Sequence, residues 1–164
     1  METIRHSIDI GCSPQALYKY IAQPWRWHEW HPNSKSAEAQ NNALGKHDTF
    51  EEVYEIRVLP FLPFKLRRLL QWRVVAEMPY SYWEIEATAK DRLINIAHNY
   101  DPRDTAVRFT RTVKFELSGI TAVLTPLLKK RNTAMSEVTL ANMKRIIEST
   151  AYPQPELPGR DRKP

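Results

Sequence analysis

Between Thr3 and Ile10 the chain alternates, with Ile4, His6, Ile8 and Ile10 on one side and Thr3, Arg5, Ser7 and Asp9 on the other. A period of two predicts a half-buried strand. Ser13-Pro14 then supplies a helix N-cap and a proline at the first helical position. Leu17, Tyr18 and Ile21 form the apolar stripe of a short helix ending near Gln23-Pro24. Pro24 to Pro32 is an aromatic patch bracketed by prolines, read as a second short helix or a tight turn. The period of two returns weakly over Lys35–Gln40 and clearly over His47–Val58, where Phe50, Glu52, Tyr54, Ile56 and Val58 share a face. Further strands are predicted over Leu69–Ala76, with Trp72 facing Leu70 and Val74, then around Trp83–Ala87 and Ile94–Tyr100. The last strand, Ala106–Leu117, sets Val107, Phe109, Arg111, Val113, Phe115 and Leu117 on one face. Short turns between such strands, Asn41–Gly45 and Asp101–Asp104 among them, predict an antiparallel meander.

After Gly119 the spacing changes to three and four. Ile120, Val123, Leu124, Leu127 and Leu128, then Ala134, Met135, Val138, Ala141 and Ile146, form one helical stripe, and Leu140, Met143 and Ile147 widen it. A helix from Pro126 to about Ser149 would be ~36 Å long at 1.5 Å per residue, enough to cross a whole sheet. The segment 151–164 is rich in proline and mixed charge and reads as a disordered tail. The predicted architecture is therefore a single α+β domain over residues 1–150. A curved antiparallel sheet of six or seven strands wraps a long C-terminal helix, with two short helices after the first strand.

Composition leaves that picture in place. Hydrophobic residues make up 42% and charged residues 26%, the balance of an ordinary globular domain. Cys12 is the one cysteine, so no internal disulfide forms. The N-terminus has mixed charge and no apolar core, and no apolar run approaches the ~20 residues a membrane span needs; a cytoplasmic location is expected. The net charge of +5 is concentrated in Lys65, Arg67 and Arg68 and in Lys129, Lys130 and Arg131. With no helix-turn-helix, zinc or RNA-binding signature, these clusters read as solvated faces, and nucleic acid is not an expected partner.

The chain resembles the START-related helix-grip superfamily, and within it the polyketide cyclase/dehydrase-like group. The resemblance rests on Ile8-Asp9-Ile10 with Ser13-Pro14-Gln15-Ala16-Leu17-Tyr18, on Trp30-His31-Pro32, and on Leu140 to Glu148. Glycine departs from that pattern in its scarcity, at four residues, and Leu59–Leu70 resembles an insertion. The resemblance implies an apolar ligand held between sheet and helix, with members ranging from carriers to aromatase/cyclases.

The alternation turns several polar residues inward. Glu52 falls among Phe50, Tyr54 and Ile56, and Arg111 among Phe109, Val113 and Phe115; His98 and Tyr100 lie on an apolar face. A charge facing a dry core is costly unless paired. Arg111, Glu52, His98, Tyr100, Trp72, Phe109 and Tyr54 are therefore the expected ligand-binding set, against the alternative of a structural salt bridge at the sheet rim. His28 and His31 have chelating spacing but no third ligand, so no metal is expected. No phosphate loop or nucleophile motif is present, and no cofactor is expected. Three readings remain: a binder of a lipid, quinone or polyketide-like compound, a cofactor-independent cyclase/dehydratase, or a membrane- or partner-associated protein. The last would use the 59–70 segment, with Phe61, Phe64, Lys65, Arg67 and Arg68 touching a membrane surface.

Overall fold

The computed structural model describes residues 1–56, 65–89, 92–117, 119, 123 and 125–149. The predicted tail 151–164, its boundary at residue 150, and Phe61 and Phe64 lie outside the described residues. Strand β1 (Glu2–Ile10) leads into helix α1 (Pro14–Ile21) and a 3-10 turn over Pro24–Glu29. Strands β2 (Ser34–Ala39), β3 (Thr49–Ile56), β4 (Leu66–Met78), β5 (Tyr82–Ala89), β6 (Arg92–Pro102) and β7 (Val107–Leu117) follow, and helix α2 (Thr125–Glu148) closes the fold. The strands form one seven-stranded antiparallel sheet in the order β1-β7-β6-β5-β4-β3-β2. Six strands thus run as a meander, and β1 adds to its far edge by pairing with β7 from Glu2↔Phe115 to Ile10↔Val107.

Local sequence explains the starts and stops. The Ser13 hydroxyl accepts the Ala16 N–H at 3.2 Å and caps α1, with Pro14 at the first turn. The aromatic patch takes the 3-10 option. At three residues per turn, Pro24, Trp27 and Trp30 fall on one side, and all three are buried while Trp25 is half-buried. The Trp27 indole N–H donates to the Ile21 carbonyl at 2.8 Å, tying the turn to α1. Strand β4 differs from expectation in two ways. β4 begins at Leu66 rather than Leu69, because Leu66 to Leu70 continue the ladder opposite Ile56 to Glu52. A register shift between Val74 and Ala76 then breaks the alternation near its end.

The inner face of the sheet carries the core. Ile10, Trp72, Val74, Trp83, Ile85, Tyr100 and Phe109 pack there against Leu17, Ile21, Trp27 and Trp30, and against Leu140, Met143 and Ile147 of α2. The buried stripe of α2 is Ser136, Thr139, Leu140, Met143 and Ile147. It is narrower and more polar than the predicted face, and Val138 is 48% exposed. The reason is positional: only the C-terminal half of α2 meets packed core, while Leu128, Asn132, Met135 and Ser136 of its N-terminal half border a cavity.

The end of α2 is fastened to the start of the chain. Glu148 accepts the Gly11 N–H at 2.7 Å, and Lys144 donates to the Asp9 carbonyl at 2.6 Å and to Glu148 at 2.9 Å. Asn142 donates to the Trp30 carbonyl at 3.3 Å, fixing α2 against the 3-10 turn. This placement makes a direct prediction. Met143→Ala should cost about 2–5 kcal/mol by urea unfolding, as buried methionine truncations do. Val138→Ala, on the solvent side, should stay within about 0.5 kcal/mol; equal effects would put the wrong face of α2 inward.

Candidate functional site

A cavity of about 160 Å³ lies between the inner face of β3 to β7, the 3-10 turn and the N-terminal half of α2. Ile94, Ile96, Val113, Phe115 and Leu70 supply its apolar walls. Strand register decides which polar residues reach it. Arg111 lies opposite His98 on β6 and opposite His6 on β1. Glu52 sits across from Leu70, and Tyr54 across from Arg68, one pair further along. Of the seven residues expected at a ligand site, Arg111, Glu52, His98, Trp72 and Tyr54 border the cavity. Tyr100 and Phe109 share the inner face but lie further along their strands, in packed core. Tyr100 rests at 5.4 Å from both the Tyr18 and Phe109 rings.

His98 is held rigidly. Its ring stacks on Trp83 at 5.7 Å and on Phe109 at 5.5 Å, nearly parallel to both, as cross-strand and diagonal neighbours do. Neither ring nitrogen has a hydrogen-bond partner. Burial, and then the charge of Arg111, holds its pKa well below the ordinary histidine value, so the ring is neutral. Arg111 is buried, and its Nε is unpartnered. Burial draws the guanidinium down to about 10 against the opposing fields of Tyr54 and Glu52, which leaves it cationic at neutral pH.

Glu52 is the acidic counterpart. It is 2% exposed, and Trp72 donates its indole N–H to one carboxyl oxygen at 2.9 Å. Burial pushes its pKa up, while hydrogen bonding and Arg111 pull it back. The expected alternative of a rim salt bridge is not what forms: Glu52 and Arg111 are both buried and face one cavity, and no ion pair joins them among the described residues. Arg68 and Arg92 border the cavity as well, so among the described residues its charged lining is mostly cationic.

Several lining residues stand outside the expected ligand-binding set. The 3-10 turn brings Trp27, Trp30 and His31 inward. His31 packs on Tyr54 at 5.7 Å and accepts the Asn33 N–H at 3.3 Å, and Asn33 in turn donates to the Tyr54 hydroxyl at 2.9 Å. His28, by contrast, is exposed. Ser136 is buried with its hydroxyl unpartnered. A signal for it existed: Ser136 stands four residues before Leu140 and seven before Met143, a polar residue on the buried stripe.

The two buried histidines set a pH dependence. Burial foremost, then Arg111, lowers His31 to about 3. Protons therefore bind the unfolded chain more readily than the fold. The stabilising share of His31 is complete above about pH 6.5 and lost as pH falls toward about 3. His98 acts in the same direction; Glu52, raised by burial, acts oppositely as pH rises above the ordinary carboxylate range. Urea unfolding between pH 7 and 5 should show His31→Gln flattening the acid-side loss by up to about tenfold in the unfolding constant per pH unit. An unchanged slope would mean that His31 takes up its proton equally in the folded and the unfolded chain.

Comparison with known proteins agrees with this fold. The structure of TTHA0849 from Thermus thermophilus superposes with a TM-score of 0.70 at 14% identity, over 92% of this chain and 99% of that one. The di-domain ARO/CYC StfQ from the steffimycin biosynthetic pathway matches with a TM-score of 0.67 at 12% identity, over 87% of this chain and 49% of that one. Ara h 8.0201 matches at 0.63 and 10% identity, over 90% and 99%. At such identities the likeness is one of fold, and it bears out the helix-grip expectation. No curated protein is significantly similar in sequence. The sequence profile of one family, described as polyketide cyclase / dehydrase and lipid transport, spans residues 1–148, and the chain belongs to that family.

Proposed function

We propose that this protein binds a hydrophobic small molecule, a lipid, quinone or polyketide-like compound, in the cavity between its sheet and α2. One observation carries the reading: Arg111, His98, Ser136 and Trp30, which line this largely apolar cavity, each carry a buried polar atom with no hydrogen-bond partner. An interior built only for packing leaves few such atoms. A binding site keeps a small number of polar groups in an apolar lining, where they orient its guest. Glu52, Tyr54 and Trp72 belong to the same proposed set.

A second reading, a cofactor-independent cyclase or dehydratase, is favoured by the pairing of Glu52 and His98 around one space. A neutral imidazole and a carboxyl with raised pKa are suited to move a proton, and Arg111 to stabilise an enolate. A third, membrane contact during loading, is supported by Leu66, which is exposed yet borders the cavity beside Arg68, with Lys65 and Arg67 adjacent. Co-sedimentation with anionic vesicles tests it; no binding at low salt ends that reading.

The binding reading is tested with N-phenyl-1-naphthylamine, a neutral apolar dye that brightens in dry sites. Native protein should enhance its emission, and Ile96→Trp, which fills the cavity, should weaken binding by about tenfold or more without loss of folding. Equal enhancement by both proteins would place the dye elsewhere, and none by either would count against an accessible cavity.

A further inference from the structure

We infer that the guest is a compact apolar carboxylic acid, held with its carboxylate against Arg111 and completed by Ser136 and His98; this rests on the cavity-binding reading above. Unpartnered polar atoms on residues that line the cavity carry the inference. Arg111 presents a guanidinium, all donors and no acceptor, whose Nε is buried and unpartnered. The Ser136 hydroxyl and one nitrogen of neutral His98 each add a donor. A group that only accepts hydrogen bonds fits this set, and a carboxylate does so with the fork geometry that guanidinium favours. An amine could use the second nitrogen of His98 or the Ser136 oxygen as acceptors but would set another cation beside Arg111, and a neutral alcohol would satisfy one donor and leave the cation buried.

The charged surroundings agree. Among the described residues, three arginines, Arg68, Arg92 and Arg111, and one carboxylate, Glu52, border the cavity. Glu52 already accepts from Trp72, and burial favours its protonated form, so it can become neutral as an anion arrives. The groups flanking Arg111 in the sheet are histidines, His98 on one side and His6 on the other, not acids; the nearest acid on α2, Glu137, lies at 3.7 Å from His6. The enclosed volume of about 160 Å³ is below the ~300–1,000 Å³ of sites for drug-sized ligands, which points to one ring or a short alkyl chain.

The experiment follows the emission of the cavity tryptophans while native protein is titrated with octanoate, 1-octanol, benzoate and benzyl alcohol. Each acid should bind about tenfold or more tightly than its alcohol, the scale of one charge-assisted hydrogen-bonded pair. Arg111→Met should erase that preference and retain the alcohols, and Glu52→Gln should tighten the acids severalfold. These opposite signs separate an anion anchored on Arg111 from a guest anchored on Glu52. Should Arg111→Met fail to fold, Arg111→Lys keeps the charge, loses the fork and should still narrow the preference. Acids and alcohols binding equally to native protein, or Glu52→Gln weakening the acids, overturns the inference and leaves the cavity reading standing. Binding of none of the four, alcohols included, overturns both.

Discussion

A guanidinium removed from water is tolerable only when its charge and donors find partners nearby, and in this fold the protein does not provide them all. Arg111 is carried inward by the alternation of β7, the same alternation that seats Phe109, Val113 and Phe115 against the core. It cannot be turned out without turning out its neighbours, since a slip of one residue would expose the whole face. The sheet therefore commits a cation to the interior, and the surroundings are arranged around that commitment. His98 and His31 are kept neutral, Glu52 shares the space without closing on it, and a cavity separates the group from α2.

Helix α2 answers to two demands along its length. Toward Glu148 it is a packing element, with Leu140, Met143 and Ile147 sealing the core. Toward Thr125 it is a roof, with Leu128, Asn132, Met135 and Ser136 bordering the cavity. The contrast explains why a plain hydrophobic count misjudged its inner face. A helix that covers a cavity has less apolar surface to bury than one that covers a core, and Ser136 and Thr139 sit at the change from one role to the other.

Much of this was legible in the chain. Period-two alternation placed Glu52, Tyr54, Trp72, His98 and Arg111 on inward faces, because side-chain direction in a strand follows from local geometry. It placed Tyr100 and Phe109 there equally well, since alternation reports the face and not the distance along the strand to a cavity. The pairing of β1 with β7 joins residues about a hundred positions apart, and no local pattern encodes it. The register shift at Val74 and the end of the 3-10 turn at Glu29, after which His31 is buried while His28 is exposed, are also decided by tertiary packing. The capping of α1 by Ser13, a purely local device, was readable in full.

The fastening of α2 at one end has a mechanical corollary. Glu148 and Lys144 hold the C-terminal turn to Gly11 and Asp9, while near the other end an exposed ion pair between Lys129 and Glu2 supplies a weaker tether. Such a helix is a lever with its fulcrum beside β1. Leu128 stands ~30 Å from that fulcrum at 1.5 Å per residue, so a tilt of ~10° would lift it by ~5 Å. The roof of the cavity is therefore fastened firmly at its Glu148 end and lightly at its Lys129 end.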